Sequence, residues 1–271
     1  MKNNKILVIL WCVISVSFIM GCSLEDYNTF NGTLTGNGNV ISQERNITDF
    51  NGIVSDAAGN VNIYPAENFR VVVTTDSNLQ DVVNLWITGN TLYINNVFPA
   101  GYSRFRASSA MRIDVYLPEL ENIDLSGVGN IRINNHVISD IAINLSGAGN
   151  IDVQNIEAAN IAINLSGVGN IDVHNIQAAN VTAGLSGSGS IRINNGNVSG
   201  INMNLNGVGN INAQNIETEN AVVNMTGAGD IRTWAVKTLT GTITGVGTVW
   251  YKGNPAITVT RTSIAGNLRR L

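Results

Sequence analysis

The chain has 271 residues, 15 Lys+Arg against 19 Asp+Glu, 44% apolar and 13% charged residues, 28 Gly and 2 Cys. A mildly acidic chain offers no basic footprint for nucleic acid, two cysteines cannot make a disulfide scaffold or a structural zinc site, and low charge with abundant Ile and Val argues against disorder. The sequence holds 41 Asn, far above ordinary usage, and that excess has to be explained by whatever structure the chain adopts.

In chain order, Lys2 and Lys5 precede an uncharged, mostly apolar stretch from Ile6 to Met20. It is shorter than the roughly 20 residues of a bilayer span. A positive start and a short apolar region closed by a small residue read as a signal peptide over residues 1–21. The end, Ile19-Met20-Gly21-Cys22, resembles the cleavage site of bacterial lipoproteins, with Met20 bulkier than usual. The resemblance implies cleavage before Cys22 and lipidation of that cysteine, hence attachment to a membrane. Cys12 leaves with the signal. Ser23 after the cysteine resembles outer-membrane sorting, and Glu25-Asp26 resembles a surface-export signal. Residues 22–39 read as a lipidated tether, with Asn28–Asn39 as a flexible linker.

Residues 40–120 read as β structure without a strict period: Ile53–Val54, Val61–Tyr64, Arg70–Thr75 and a Leu85–Ile94 hairpin about Gly89-Asn90, with a helical turn in Asn78–Asn84. This region is expected to cap the first rung of the repeats downstream. In residues 121–248, Gly-x-Gly recurs at Gly127, Gly147, Gly167, Gly187, Gly207 and Gly227, every 20 residues, and once more at Gly245. Fixed self-similarity near this length means a solenoid. Apolar residues form columns, such as Leu125, Leu145, Leu165, Leu185, Leu205 and Ile131, Ile151, Ile171, Ile191, Ile211, and alternate with polar ones. Period two means strands. The reading is a right-handed parallel β-helix whose rungs stack like over like at roughly 4.8 Å. Residues 249–271 read as a C-terminal cap in which Trp250 and Tyr251 cover the last apolar layer.

The Asn excess falls into columns beginning at Asn130, Asn135 and Asn160. Asn tolerates left-handed angles and so suits corners, and stacked amides can bond rung to rung, each bond worth roughly 0.5–1.5 kcal/mol net.

The pattern resembles the putative auto-transporter adhesin, head GIN domain family. Gly38-Asn39-Val40, Glu44-Arg45, Phe50-Asn51-Gly52-Ile53, the repeated Leu-Ser-Gly-x-Gly-Asn-Ile, Tyr251-Lys252-Gly253-Asn254-Pro255 and Leu268-Arg269-Arg270-Leu271 carry the resemblance. It implies an exported, often lipidated β-helix and supplies no receptor or catalytic residues.

Candidate sites are few. Gly-x-Gly-Asn lacks the helix that a phosphate loop requires. Calcium-binding β-roll repeats need nine residues and Asp, where this chain has 20 and mostly Asn. An outward column of Arg132, Asp152, Asp172 and Arg192 reads as a compensated charge ladder, although Asp152 and Asp172 on neighbouring rungs are the one conceivable acid pair for a polysaccharide-cleaving β-helix. Gln154, His174, Asn194 and Gln214 form a polar column suited to many weak hydrogen bonds with a glycan. Ser126, Ser146, Ser166 and Ser186 read as a hydroxyl ladder. His136 takes the place other rungs give to Ile156 and Ile176, and is expected to mark an altered corner. Tyr102 and Phe105, beside Arg104 and Arg106, read either as a loop projecting from the rod or as part of the packing of the cap.

The expectation is a non-enzymatic, adhesin-like scaffold, an outer-membrane lipoprotein of the cell envelope, periplasmic or surface-exposed. It has no metal or other cofactor, and its partners are a membrane through lipid on Cys22 and a glycan or envelope protein. The alternatives are a polysaccharide-degrading β-helix enzyme and a periplasmic structural or signalling lipoprotein.

Overall fold

A computed structural model describes residues 32–271. The signal segment, Cys22 and the first part of the tether lie outside the described residues.

The strands, in chain order, are β1 (Gly32–Thr35), β2 (Val40–Arg45), β3 (Gly52–Ser55), β4 (Gly59–Pro65), β5 (Arg70–Asp76), β6 (Val83–Thr88), β7 (Thr91–Asn96), β8 (Tyr102–Arg106), β9 (Arg112–Leu117), β10 (Asn122–Leu125), β11 (Val128–Val137), β12 (Asp140–Leu145), β13 (Ala148–Leu165), β14 (Val168–Leu185), β15 (Ser188–Ile193), β16 (Gly196–Leu205), β17 (Val208–Met225), β18 (Ala228–Ile243), β19 (Val246–Lys252), β20 (Ala256–Arg261) and β21 (Gly266–Arg270). They wind a β-solenoid of about 7 turns with rungs about 20 residues apart. Within it the register is like over like: Ile151 lies beside Ile171, Val153 beside Val173, Ile163 beside Ala183 and Leu165 beside Leu185.

Each coil bends because its alternation is interrupted. In β13 the buried positions are 151 and 153, then 156 and 158, then 161, 163 and 165. Parity changes once at Asn155 and again between Ala158 and Ile161. Three straight walls result: a first wall through Ile151, a short second wall through Ile156 and a third through Ile163. Asn135, Asn155 and Asn175 take positive φ at the first corner (48°, 53° and 56°), as the short amide side chain permits. The third wall returns to the next first wall through the glycine pair, where backbones of successive rungs touch. The Ile, Val and Leu columns fill the interior at almost zero exposure, and each large side chain removed from water contributes roughly 1.5–3 kcal/mol.

The ends differ from the sequence reading. The region read as an N-terminal cap contains two further coils. β4 lies parallel beside β11, with Gly59 against Gly129 and Val61 against Ile131, and β9 lies beside β4. β3 and β7 continue the third wall in the same way. Closure is made by antiparallel strands, β5 on β9, β2 on β5, and β6 on β7, which cannot continue a parallel coil. A 3-10 helix, Ser77–Val82, joins β5 to β6. The C-terminal segment is another coil, with β20 beside β18 and β21 beside β19. Trp250 lies in register with the outward Arg232, so it points away from the core. Tyr251, one residue on, packs against the core.

The tether reading is also corrected from Gly32 onward. β1 pairs in parallel with β8 to form a two-stranded sheet. Asn37 bonds to Asn78 and Ser77, and Gly38 donates to Asp76 at 2.7 Å. Of the two readings of Tyr102 and Phe105, the projecting loop is overturned, since both lie in β8, and packing holds for Phe105, which lies against the core.

Candidate functional site

The outward face of the first wall carries the residues singled out above. Its columns follow from period two: if Ile151 and Val153 point in, then Asn150, Asp152 and Gln154 point out. Register places Arg132 beside Asp152, Asp152 beside Asp172 and Asp172 beside Arg192. Arg132 approaches Asp152 at 3.4 Å, and one guanidinium nitrogen of Arg192 reaches both oxygens of Asp172 at 2.9 and 3.1 Å. Asp152 also accepts from the Gln154 amide and lies 4.0 Å from His174 Nε2. Each carboxylate therefore has its own neighbouring cation. Exposed pairs of this kind contribute little stability, about 0–1 kcal/mol. What they do is fix side-chain positions on the wall.

The polar column is assembled only in part. Gln154 and His174 are in register, and the Asn194 amide meets His174 Nδ1 at 3.3 Å. Gln214 takes a different course. The pairing of β15 with β17 ends at Asn212, and the Gln214 backbone N–H turns to the Asn212 side chain at 3.1 Å. Towards the N-terminus the column runs through Asn134 to the stacked rings of Tyr64 and Tyr116, 5.0 Å apart, with Arg70 over Tyr116.

Three Asn columns bond along the rod. Asn130 donates to Asn60, Asn150 to Asn130 and Asn170 to Asn150. Asn155 donates to Asn135 and Asn175 to Asn155. Asn160 donates to Asp140 and Asn180 to Asn160. A fourth column escapes the sequence reading: Asn144, Asn164, Asn204 and Asn224, with Asn164 donating to Asn144 and Asn224 to Asn204. Gly184 interrupts it, but the spacing of 20 is a signal that could have found it.

His136 follows an unaltered first corner, and the coil departs from its neighbours only after it, where β11 ends at Val137 and β12 begins at Asp140. Asn135 before it has the same left-handed backbone as Asn155, and the imidazole lies beside Ile156, buried, with neither ring nitrogen hydrogen-bonded. Burial pushes its pKa below the ordinary histidine value. Asp76 is a second buried group. Its carboxylate accepts from Gly38 N–H, Ser108 N–H and Ser108 Oγ at 2.7–2.8 Å, which holds its pKa below the usual carboxylate range. That knot ties the incoming chain, β5 and the segment after β8 together.

A cleft of about 1080 Å³ lies between that segment and the corners of the first coils, lined by Phe98, Phe105, Met111, Val128 and Ala148 among others. Among the described residues, no three His, Cys, Asp or Glu come close enough to hold a metal ion.

Such a molecule is a surface-presenting β-solenoid, in which long side-chain ladders are displayed on rigid walls. The chain belongs to the family described as Putative auto-transporter adhesin, head GIN domain, whose profile matches residues 49–255. Among solved structures it is similar to a putative lipid binding protein from Parabacteroides distasonis, at 26% identity and TM-score 0.80 over 89% of this chain and 100% of that one. It is also similar to a putative adhesin from the same organism (22% identity, TM-score 0.77, covering 89% of this chain and 100% of that one). A putative adhesin from Parabacteroides merdae matches at 22% identity and TM-score 0.75, covering 88% of this chain and 99% of that one. No curated protein sequence matches the chain. Family and fold together fit a non-enzymatic binding scaffold of the cell surface or envelope.

Proposed function

We propose that the protein is an outer-membrane lipoprotein, anchored through acylated Cys22, that presents its solenoid walls to a glycan or envelope protein and performs no chemistry. The observation that carries this reading is the pairing on the first wall: Asp152 and Asp172, the acid pair stacked on neighbouring rungs, are each tied to a neighbouring arginine. A wall of mutually bonded polar side chains is preorganised for recognition, because little side-chain entropy remains to be lost on binding. The Ser-Gly-x-Gly corners supply rigidity, and the family and its structural neighbours are named for adhesion or lipid binding.

Two measurements test it. Labelled palmitate should enter the wild-type protein and not a Cys22→Ala variant. Protease applied to intact cells should remove the protein if it is displayed outside, and full protection would place it on the periplasmic side. Cleavage of any polysaccharide that is lost in Asp152→Asn or Asp172→Asn would overturn the non-enzymatic reading.

A second reading, capture of an acyl chain, is favoured by the cleft under β8, whose floor includes Phe98, Phe105 and Val128. Organic extraction of purified protein followed by mass spectrometry should recover stoichiometric lipid on this reading, and Phe105→Asp should abolish it.

A further inference from the structure

Charge is distributed unevenly along the rod. Beyond Asp230 the sequence has no Asp or Glu, yet it holds Arg232, Lys237, Lys252, Arg261, Arg269 and Arg270. This runs against a net charge of −4 for the whole chain. Register gathers several of these cations on the outward first wall. Arg232, Trp250 and Arg269 stack in the column that upstream holds Asp152 and Asp172, and Trp234 and Lys252 stack in the next column.

Rings rather than carboxylates position the cations. Lys252 Nζ lies 5.5 Å from the centroid of Trp234, and the Arg269 guanidinium lies 5.8 Å from that of Trp250. Among the described residues neither cation has an ion-pair partner. Asp230 is the local acid. It accepts from the Trp250 indole N–H at 3.3 Å and lies 3.6 Å from Arg232, so it orients the indole and offsets Arg232 alone. The middle of the wall neutralises itself, and its C-terminal end does not.

We propose that this end of the wall, centred on Trp234, Trp250, Lys252 and Arg269, binds an acidic glycan. The proposal rests on the binding-scaffold reading above and deepens it. An indole beside an un-neutralised cation suits a sugar acid: the apolar face of the ring packs on the aromatic, and the carboxylate or sulfate takes charge-assisted hydrogen bonds from Lys and Arg. An acidic peptide adding as a strand fits less well. The wall's backbone groups are already paired within the sheet, and the open edge of the last coil has Arg261 and Arg270 at inward positions, a device that blunts strand addition. A membrane fits less well because the described chain enters at the opposite end of the rod, through β1 and β8, and eight parallel pairings separate β9 from β19, roughly 38 Å.

The test is calorimetric titration of the full-length protein in detergent with oligogalacturonate, and with its methyl ester, at 50 and 200 mM NaCl. The acid form should bind and the ester should not, and affinity should fall with salt. Lys252→Gln with Arg269→Gln should weaken binding at least tenfold at an unchanged melting temperature. Arg104→Gln with Arg106→Gln, at the other end of the rod, should leave it unaltered. Equal binding of acid and ester, an unaffected double variant, absence of binding to the acid form, or tighter binding of oligoglutamate than of oligogalacturonate would each overturn the proposal. So would salt-sensitive self-association that Lys252→Gln abolishes without any glycan binding. A neutral glycan held equally well by the double variant overturns this site and leaves the scaffold reading standing.

Discussion

A methyl group placed on Gly169 would run into the carbonyl oxygen of Gly149, one rung below it. The contact repeats at Gly189, Gly209, Gly229 and Gly247, each with φ between 140° and 148°. From Gly149 onward the second glycine of each Gly-x-Gly is thus required twice, by backbone angle and by backbone contact, while Gly129 is required by contact with Gly59 alone. Gly169→Ala should cost roughly 3 kcal/mol, read as a lowered midpoint in urea unfolding. Gly184, at ordinary φ, would bring an added methyl close to the Asn164 side-chain oxygen alone, at 3.1 Å, so Gly184→Ala should be far milder. Equal effects would refute the contact argument.

The first Asn ladder breaks at Ser190, between Asn170 and Asn210. Ser190→Asn restores a side chain able to donate to Asn170 and accept from Asn210. Each new bond is worth roughly 0.5–1.5 kcal/mol, so the variant should be stabilised by about 1–2 kcal/mol in thermal melts. A neutral or destabilising result would mean that the Arg192 contact to the Asn170 oxygen at 3.4 Å matters more than the ladder.

His136 carries a pH dependence of definite sign. Its folded-state pKa is depressed by burial, so the unfolded chain takes the proton more readily. The stability at stake is fully present above the ordinary value of about 6.5, and is lost as pH falls through that value to the depressed one. His136→Ile, which continues the Ile156 column, should remove that dependence. It should also raise stability at neutral pH by about 1–3 kcal/mol, since two unsatisfied ring nitrogens leave the core. Denaturation midpoints at pH 5 and pH 8 for both proteins check it.

The repeat is legible because every coil restates it: a column such as Ile131 to Ile231 is sampled six times, so chance substitutions at one rung cannot hide it. The same logic places Trp250, because counting from Gly247 puts it level with Arg232. Its apolarity alone suggests a lid on the core, but apolar residues are not always inward. The N-terminal coils are hidden for a physical reason. β3 and β4 are laid down before β7 and β9, yet β10 and β11 pair with β3 and β4, so neighbours in space are not successive in sequence. At His136 the break in the Ile column suggests a change of corner, but the left-handed corner before it is kept at Asn135, and the backbone departs only beyond it, where the strand stops at Val137 and restarts at Asp140 while β13 runs through. The Asp76 knot carries no sequence period at all; it joins Gly38, Asp76 and Ser108 across separate segments.

That knot gives an acid limb. Three donors favour the ionised Asp76 carboxylate, so its contribution is present above its ordinary value of about 3.8 and is lost as pH falls through the lower, folded-state value. Asp76→Ala should free the β1–β8 sheet without unwinding the coils. Limited proteolysis should then cut near Gly36–Asn39 and Ala107–Ala110 at neutral pH, while the wild type becomes sensitive there only in acid. Unchanged cleavage would show that β1–β8 pairing alone holds the segment.

The outer edge of β20 and β21 carries charge at inward positions. Arg261 lies beside Ile243 at the end of the column that holds Leu125, and Arg270 lies beside Tyr251 at the end of the column that holds Ile133. Elsewhere these columns are mostly apolar and buried. A cation at an inward position can reach water only while no further rung covers it, so the two arginines make another layer costly. Arg261→Leu with Arg270→Val would continue both columns and leave an apolar layer beside an unpaired parallel edge, where Ile257 is already 43% exposed. Each apolar replacement covered by a second copy returns roughly 1.5–3 kcal/mol. The double variant should therefore associate end to end at micromolar concentration in sedimentation velocity, with the wild type remaining smaller under the same conditions. A variant that sediments like the wild type would mean that the antiparallel N-terminal strands β2 and β6, rather than the arginines, are what stops the rods from joining.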